Sequence, residues 1–223
     1  MGSGDLHKYF LNNNNRRLHK WFHYFDIYEK HFSRFRNLKP VILEIGVMGG
    51  GSLEMWQDYF GEGAQIIGLD IDPKCKSYER EGIEIFIGSQ DDPEVLNAIK
   101  QKYPSFDIVI DDGSHYSPHM LASFVMLYES VSKNGVYFVE DTHTNYWPEY
   151  GGGVQMPGTF VEFAKQKIDE LNAVHTRGVI QPSVITVSTN SMCFYDSVIV
   201  FEKRMQGFRQ DAITNGILFP NDR

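Results

Sequence analysis

The sequence predicts a doubly wound α/β domain built on a mainly parallel sheet. From Pro40 onward, five short apolar runs, each ending near a glycine or an acid, alternate with helical stretches. The runs are Val41–Ile45, Ile66–Leu69, Ile83–Ile87, Ile108–Ile110 and Val136–Val139. Continuous apolar runs are typical of strands buried on both faces, and their alternation with helices is typical of parallel βα units.

Further elements are predicted on both sides of these units. Aromatic residues recur at three- and four-residue steps between Leu18 and Phe35, which predicts an added N-terminal helix with one apolar stripe. Another helix is expected around Phe160–Leu171. Two β-rich runs after it, Val184–Val187 and Ser197–Phe201, predict a closing antiparallel strand pair.

Composition and charge limit the class of protein. We expect a flexible N-terminus over 1–17, a single domain over 18–204 and a C-terminal tail over 205–223. The net charge of -8, with no basic run longer than a pair, argues against nucleic acid and anionic membranes as partners. With two widely spaced cysteines, no signal-peptide pattern and no membrane-spanning apolar run, we expect a cytoplasmic protein.

A glycine-rich turn over residues 46–52 follows the first strand directly. Because glycine has no β-carbon, backbone amides there can approach an anionic or carboxylate-bearing ligand closely. The nicotinamide fingerprint needs a glycine where this chain has Met48, which disfavours a dehydrogenase. The pattern Glu44-x-Gly46 instead resembles class I S-adenosylmethionine-dependent methyltransferases. The turn residues expected to contact the cofactor are Glu44, Gly46, Met48, Gly50 and Ser52.

An acid at the end of the second strand extends this expected cofactor site. Asp70 lies where a carboxylate can accept hydrogen bonds from both ribose hydroxyls. The alternative is that Asp70 or Asp72 caps a turn, because acids are common in βα loops.

The turn after the third strand, Gly88–Asp91, resembles the adenine-contacting turn of methyltransferases related to catechol O-methyltransferase. This resemblance implies adenine contacts from Ser89 and Gln90. Helix capping by Ser89 or Asp91 is the alternative.

Two acidic clusters follow the fourth and fifth strands, at Asp111–His115 and Glu140–His143. In a parallel sheet both emerge at the carboxyl edge beside the cofactor crevice, so several carboxylates converge there. Protonation, basic partners or a bound cation could neutralise them. Hard oxygen ligands without a nearby cysteine favour Mg²⁺, or else Mn²⁺. We select Asp112, Glu140 and Asp141 as the metal ligands.

Two neighbours of Asp112 complete the predicted site. Asp111 is expected to contact the cofactor, and in a catechol-type alignment it would take the first metal position instead of Asp112. His115 is the expected catalytic base, because removal of the proton needs a base of the histidine type and this one lies three residues past Asp112 on the same loop. His143 is the reserve candidate, and His119 is expected to be structural.

At these residues the chain resembles the metal-dependent sugar O-methyltransferases of macrolide deoxysugars, including mycinamicin and tylosin enzymes, with cephalosporin-hydroxylase-like proteins as relatives. The segments that carry the resemblance are His23–Glu29, Leu43–Gly46, Ile110–His115, Glu140–Asp141 and Phe194–Ser197. It implies a Rossmann-like class I methyltransferase fold, S-adenosyl-L-methionine as cofactor, metal ligation by Asp112, Glu140 and Asp141, and a base at His115.

The expected function is therefore methyl transfer from S-adenosylmethionine to a sugar hydroxyl of a natural-product glycoside, a nucleotide-linked sugar or a polysaccharide. Catechol-type or other small-molecule O-methylation is the alternative among enzymes, and a non-catalytic nucleoside-binding protein is the alternative of another class. The expected partners are a small sugar-containing substrate and further copies of the chain in a homo-oligomer.

Overall fold

The computed structural model describes residues 4–205 and residue 207. Within that part of the chain, seven strands form one sheet. They are β1 (Val41–Ile45), β2 (Gln65–Asp70), β3 (Ile83–Ile87), β4 (Phe106–Asp111), β5 (Val131–Val139), β6 (Thr189–Tyr195) and β7 (Val198–Lys203). Their order across the sheet is β3-β2-β1-β4-β5-β7-β6. The first five pair in parallel, and β7 pairs antiparallel with both β5 and β6, which confirms the predicted mixed sheet.

Seven α-helices connect or flank the described strands. They are α1 (Asp5–Asn12), α2 (Tyr24–Phe32), α3 (Gly51–Phe60), α4 (Pro93–Lys102), α5 (Ser117–Leu127), α6 (Phe160–Leu171) and α7 (Val184–Ser188). The bounds of α6 agree with the sequence prediction. A 3₁₀ turn over Ser33–Phe35 extends α2, so the predicted helix over Leu18–Phe35 begins six residues later than expected.

The prediction of a strand at Val184–Val187 was wrong, because this run is helix α7. Ser183 accepts a hydrogen bond from the Ile185 amide, and the Thr186 hydroxyl accepts one from the Ser183 amide. These two contacts form a capping box, which begins a helix despite the β-branched side chains. The inner strand of the closing pair is β7, as expected, and its antiparallel partner is β6.

The N-terminal segment that was expected to be flexible contains helix α1. Leu6 and His7 of this helix are buried, and the Leu6 amide donates to Glu29 of α2. The predicted tail over 205–223 lies almost entirely outside the described residues.

The sheet separates two apolar cores. Successive side chains of a strand point to opposite faces. Ile108 and Ile110 of β4 accordingly belong to the core beneath α2 and α3, whereas Val109 belongs to the core beneath α5 and α6.

The strand order reverses between β1 and β4, so the connections that leave these two strands run to opposite faces of the sheet. A crevice opens at the carboxyl edge of such a switch point, where ligands of open α/β sheets bind. None of the described helices combines the length and the apolar character needed to cross a membrane.

Candidate active site

The turns that leave β1 and β4 touch each other at the switch point. Gly46 has φ +93°, and a β-carbon on it would lie 2.0 Å from the carbonyl oxygen of Asp112. The Gly46 amide donates to Leu69 of β2 at 2.8 Å, and the Asp112 amide donates to Ile45 of β1 at 2.9 Å. Because Gly46 has no β-carbon, the backbone of the glycine-rich turn over residues 46–52, called the cofactor turn below, can contact the backbone of the acidic cluster Asp111–His115.

An acid and histidine cluster lies directly beside this contact. One carboxylate oxygen each of Asp112 and Asp141 and one ring nitrogen of His115 lie within 4.8 Å of one another. The Nε2 atom of His115 is 3.5 Å from Asp141 Oδ2 and 3.9 Å from Asp112 Oδ1. The structure thus brings together three of the four residues predicted as ligands and base.

Glu140, the fourth of these residues, lines the same pocket, where its carboxylate contacts Tyr28 and Lys20. It is 1% exposed, and its Oε1 atom accepts a hydrogen bond from the Tyr28 hydroxyl at 2.6 Å. The Nζ atom of Lys20 lies 3.0 Å from each Glu140 oxygen and 2.6 Å from Asp112 Oδ2.

Asp111 lies apart from this cluster. Its carboxylate is buried and accepts hydrogen bonds from Gln90 Nε2 and from the Ser123 hydroxyl, the latter at 2.7 Å. Burial raises the pKa of Asp111 although these hydrogen bonds oppose the shift. Asp112, and not Asp111, lies beside Asp141 and His115.

Three residues of the site, all from the N-terminal part of the chain, were not among the predicted cofactor, metal or catalytic residues. Lys20 supplies a buried cation, and Tyr24 and Tyr28 supply hydroxyls from α2. The Tyr24 hydroxyl donates to Asp141 Oδ1 at 2.6 Å. The available sequence signal was that Tyr24 and Tyr28 are four residues apart on the predicted N-terminal helix, so that both hydroxyls emerge on one helix face.

Burial and charge act together on the ionisable groups. Burial opposes the charge of Lys20, yet the carboxylates of Asp112, Glu140 and Glu44 hold its pKa above the usual value. Burial, together with the nearby charge of Asp112, raises the pKa of Glu140. Burial also raises the pKa of Glu44, to about 7. Burial is the main cause of both shifts; the nearby carboxylate of Asp112 adds to them, and the ammonium group of Lys20 opposes them.

Two cavities of about 190 Å³ each flank the glycine turn. Both are lined by Gly46, Asp70 and Gly113, so they are two halves of one cleft. The first half contains the acid and histidine cluster with Met48 and Ser52, and the second contains Ser89 and Gln90.

Two acids brace the cofactor turn from within the protein. Glu44 is buried and accepts hydrogen bonds from Ser52 Oγ at 2.7 Å and Trp56 Nε1 at 3.1 Å, both on α3. Asp70 Oδ2 accepts from the amides of Val47 and Met48 at 2.8 and 2.9 Å. These two hydrogen bonds hold the glycine turn against the end of β2.

The remaining predicted cofactor residues also have partners in the protein. Gln90 Nε2 donates to Asp111 and Ser123, and its Oε1 accepts from the Ser114 amide at 2.7 Å. The Ser89 hydroxyl donates to Asp91. Gly50, with φ +74°, occupies the N-cap of α3.

Three aromatic side chains lie beside Asp141 of the acid and histidine cluster, and two of them are exposed tryptophans. His143, whose Nδ1 is 3.9 Å from Asp141 Oδ1, lies between the rings of Trp21 and Trp147, with centroid separations of 5.9 and 4.8 Å. Trp21 is 50% exposed and Trp147 is 43% exposed. We call Trp21, His143 and Trp147 the aromatic shelf.

Comparison with protein families gives one match over residues 32–160, to the rhamnosyl O-methyltransferase/CmcI family. Similar proteins include a mycinamicin VI 2''-O-methyltransferase from Micromonospora griseorubida, which is 42% identical over 154 residues, or 65% of this chain and 38% of that protein. An 8-demethyl-8-alpha-L-rhamnosyl tetracenomycin-C 2'-O-methyltransferase from Streptomyces olivaceus is 36% identical over 187 residues, or 79% of this chain and 49% of that protein.

Among solved structures, the fold is similar to that of the MycE methyltransferase from the mycinamycin biosynthetic pathway, determined in complex with Mg and SAH. The TM-score is 0.78 at 33% identity, over 90% of this chain and 54% of that one. The chain thus spans about half the length, or less, of the relatives it matches.

Proposed function

Because the chain belongs to the rhamnosyl O-methyltransferase/CmcI family, we propose that it transfers a methyl group from S-adenosylmethionine to a sugar hydroxyl of a small glycoside, with the help of a divalent cation. The observation that carries the proposal is the position of Asp112, His115 and Asp141 in one pocket with the glycine turn. The relatives described above, which are sugar O-methyltransferases, support the choice of acceptor.

The carboxylates fit the expected metal. Asp112, Glu140 and Asp141 offer hard oxygen donors, which Mg²⁺ and Mn²⁺ prefer, and no cysteine lines the pocket. These three carboxylates line the pocket together with the ammonium group of Lys20, and a divalent cation would balance their negative charge. When bound, the cation supplies Lewis acidity that lowers the pKa of the acceptor hydroxyl and orients it.

His115 is proposed to remove the proton of the acceptor hydroxyl. The imidazolium formed in this way lies 3.5 Å from Asp141 and 3.9 Å from Asp112, whose negative charges stabilise it. The hydroxyl oxygen then forms a bond to the methyl carbon. The sulfur–methyl bond breaks with its electron pair on sulfur, which leaves S-adenosylhomocysteine without the sulfonium charge.

We propose that the two halves of the cleft divide the cofactor between them. The half beside Ser89 and Gln90 takes the nucleoside, and the half beside Met48 and Ser52 takes the methionine part. This division places the reacting sulfur near the acid and histidine cluster. Gln90 hydrogen-bonds to Asp111 and to the Ser114 amide, so its side chain is held in one position. We therefore propose that Gln90 shapes this half of the cleft and supports its lining.

The aromatic shelf is proposed to hold the acceptor. It lies next to Asp141, and its flat exposed rings suit the apolar C–H faces of a sugar ring. A sugar resting on the shelf would direct its hydroxyls towards the carboxylates and His115.

The test is an assay of methyl transfer by mass gain, with S-adenosylmethionine and Mg²⁺, against methyl α-L-rhamnoside, rhamnosyl glycosides and a catechol. We expect a gain of one methyl group on a sugar, and its loss after chelation with EDTA. Calorimetry that detects no S-adenosylmethionine binding well above ordinary cofactor affinities would refute methyl transfer. Turnover that survives chelation would refute the metal, and a methylated catechol alone would refute the sugar acceptor.

A further inference from the structure

The proposed metal site already contains a positive charge, the ammonium group of Lys20. The side chain of Lys20 is 2% exposed, and its Nζ atom lies 2.6 Å from Asp112 and 3.0 Å from both oxygens of Glu140. A third carboxylate, Glu44, has an oxygen 3.7 Å away. Two of the three proposed metal ligands therefore use oxygens to bind this lysine.

The lysine and a divalent cation need the same Glu140 oxygens. Magnesium binds carboxylate oxygens at about 2.0–2.1 Å, so an ion on either Glu140 oxygen would stand no farther than about 5 Å from Nζ. At that distance, in buried surroundings, two like charges repel strongly. The other contact to Glu140, from the neutral Tyr28 hydroxyl at 2.6 Å, has no such conflict with a cation.

Lys20 belongs to residues 16–23, which form a covering segment over the cleft. The Arg17 carbonyl accepts a hydrogen bond from the Gly51 amide at 3.2 Å, so the segment begins on the cofactor turn. Its far end contacts the β6–β7 turn, since His23 Nε2 lies 3.1 Å from the carbonyl oxygen of Asp196. Between these two ends, Lys20 ties the covering segment to the acids.

We propose that Lys20 is an internal competitor of the divalent cation. In the metal-free protein its ammonium group holds Asp112 and Glu140 together and fixes the covering segment. Metal binding displaces this ammonium group and loosens residues 16–23 over the cleft. The inference rests on the proposed metal site. It makes Lys20 a positioning residue that links metal binding to the access of ligands to the cleft.

The first test measures Mn²⁺ binding by electron paramagnetic resonance in the wild type and in Lys20→Met, which keeps the length of the side chain without its charge. We expect Lys20→Met to bind Mn²⁺ at least tenfold more tightly. The matched control is Lys203→Met, which removes a buried lysine that donates to the carbonyls of Tyr128 and Val131 outside the site. Its Mn²⁺ affinity should equal that of the wild type. Equal or weaker binding by Lys20→Met would overturn the proposal.

Because Lys20→Met leaves the carboxylates of Asp112, Glu140 and Glu44 without the cation that they share, a second test uses the wild type. Trypsin can cleave after Arg17 and Lys20 in the covering segment, and after Lys102 at the end of α4 as an internal control. Saturating Mn²⁺ should raise cleavage at the first two positions several-fold and leave the control unchanged. Unchanged or slower cleavage of the covering segment would overturn the displacement of Lys20 while leaving the metal site intact. A failure of the wild type and of Lys20→Met to bind Mn²⁺ would overturn both the metal site and the competition.

Discussion

His115 and Asp141 have backbone conformations that few non-glycine residues adopt. Their φ angles are +56° and +50°. Each such residue costs on the order of 1 kcal/mol, and local contacts must offset that cost. The Thr144 hydroxyl donates to the His115 carbonyl at 2.9 Å, and the Tyr24 hydroxyl donates to the Asp141 carboxylate. The side chains that face the proposed reaction are thus held by turns with little freedom.

The base assignment is tested by His115→Asn, which tolerates the left-handed conformation while removing the imidazole. We expect kcat to fall by about 10²–10⁴, the usual contribution of a general base, with the Kd of S-adenosylhomocysteine unchanged. Steady-state kinetics and calorimetry measure the two quantities. His143→Asn is the matched control, and a larger loss of kcat in that variant would transfer the role to His143.

The choice between Asp111 and Asp112 shows what the sequence could decide. Strand-end acids beside a glycine turn predicted a carboxylate cluster, and the structure has one. Consecutive residues point to opposite sides of a strand, so a one-residue difference in alignment changes which acid faces the cleft. The sequence left that register open. In the structure Asp111 packs against Gln90 and Ser123, away from the acid and histidine cluster, which supports the proposal that Asp112 is the ligand.

The aromatic shelf gives a second prediction at the scale of one residue. Trp147→Ala removes the outer ring, and the lost contact should raise the KM for the sugar acceptor about tenfold, which corresponds to about 1.4 kcal/mol. The Kd of S-adenosylhomocysteine should not change, because Trp147 lines neither half of the proposed cofactor cleft. Val154→Ala, at a position 79% exposed, is the control for a general surface effect. An unchanged KM in Trp147→Ala would remove this ring from the acceptor site.

At the scale of elements, helix α2 connects the site to the antiparallel edge of the sheet. His31 of this helix is buried, with Nδ1 against Glu202 of β7 and Nε2 2.9 Å from the Tyr195 hydroxyl of β6. Arg34 adds a salt bridge to Glu202. Because the same helix carries Tyr24 and Tyr28, this anchor also fixes the hydroxyls that bind Asp141 and Glu140.

This anchor should depend on pH. Burial opposes the shift, but the hydrogen bonds from His31 and Arg34 hold the pKa of Glu202 below its usual value. A carboxyl group with a lowered pKa in the folded state stabilises the fold at pH values above the usual pKa of glutamate. This stabilisation is lost as the pH falls through the folded-state pKa. The difference in free energy of unfolding between wild type and Glu202→Gln should therefore be larger at about pH 7 than at about pH 3.5. Urea denaturation measures it, with exposed Glu149→Gln as control, and a difference that grows towards low pH would contradict the anchor.

The contact between the first and fourth strand ends is tested by Gly46→Ala. The new β-carbon would meet the backbone of Asp112 and sit at a positive φ, so we expect the free energy of unfolding to fall by about 2–4 kcal/mol. Gly178→Ala, with φ +86° and nothing within 4 Å, controls for the φ strain alone and should cost about 1 kcal/mol. Equal losses in the two variants would show that the Gly46 contact adds nothing beyond backbone strain.

Local patterns determined some elements of the fold and not others. The bounds of β1 and β3 follow from short apolar runs. Both faces of β1 are covered, whereas β3 is an edge strand with half-buried residues that keeps the apolar run because Ile83 and Ile85 are buried. Val184–Val187 has the composition of a strand, but the capping box at Ser183 begins a helix there, and composition alone does not reveal it.

At the scale of the whole molecule, the least predictable contacts join residues that are far apart in the sequence. Lys20 binds Asp112 and Glu140 across 92 and 120 residues. The sequence places the two acids at one sheet edge by the rules of parallel strands, yet no periodicity brings a lysine from the N-terminal segment to them. Its position depends on the flanking helices α1 and α2, whose buried side chains Leu6 and Phe25 pack into the core beneath α2 and α3.

The two apolar cores lie on opposite faces of one sheet, so we predict that they unfold together. Phe32 belongs to the core beneath α2 and α3, with its ring centroid 5.2 Å from that of Phe138, and Phe160 belongs to the core beneath α5 and α6. Phe32→Leu and Phe160→Leu should each lower the free energy of unfolding by about 1–2 kcal/mol. Both variants should shift a single calorimetric transition. Its midpoint should agree with the midpoints measured by circular dichroism and by tryptophan fluorescence. Two separate transitions, or a variant that shifts only one of them, would divide the predicted single domain into independent units.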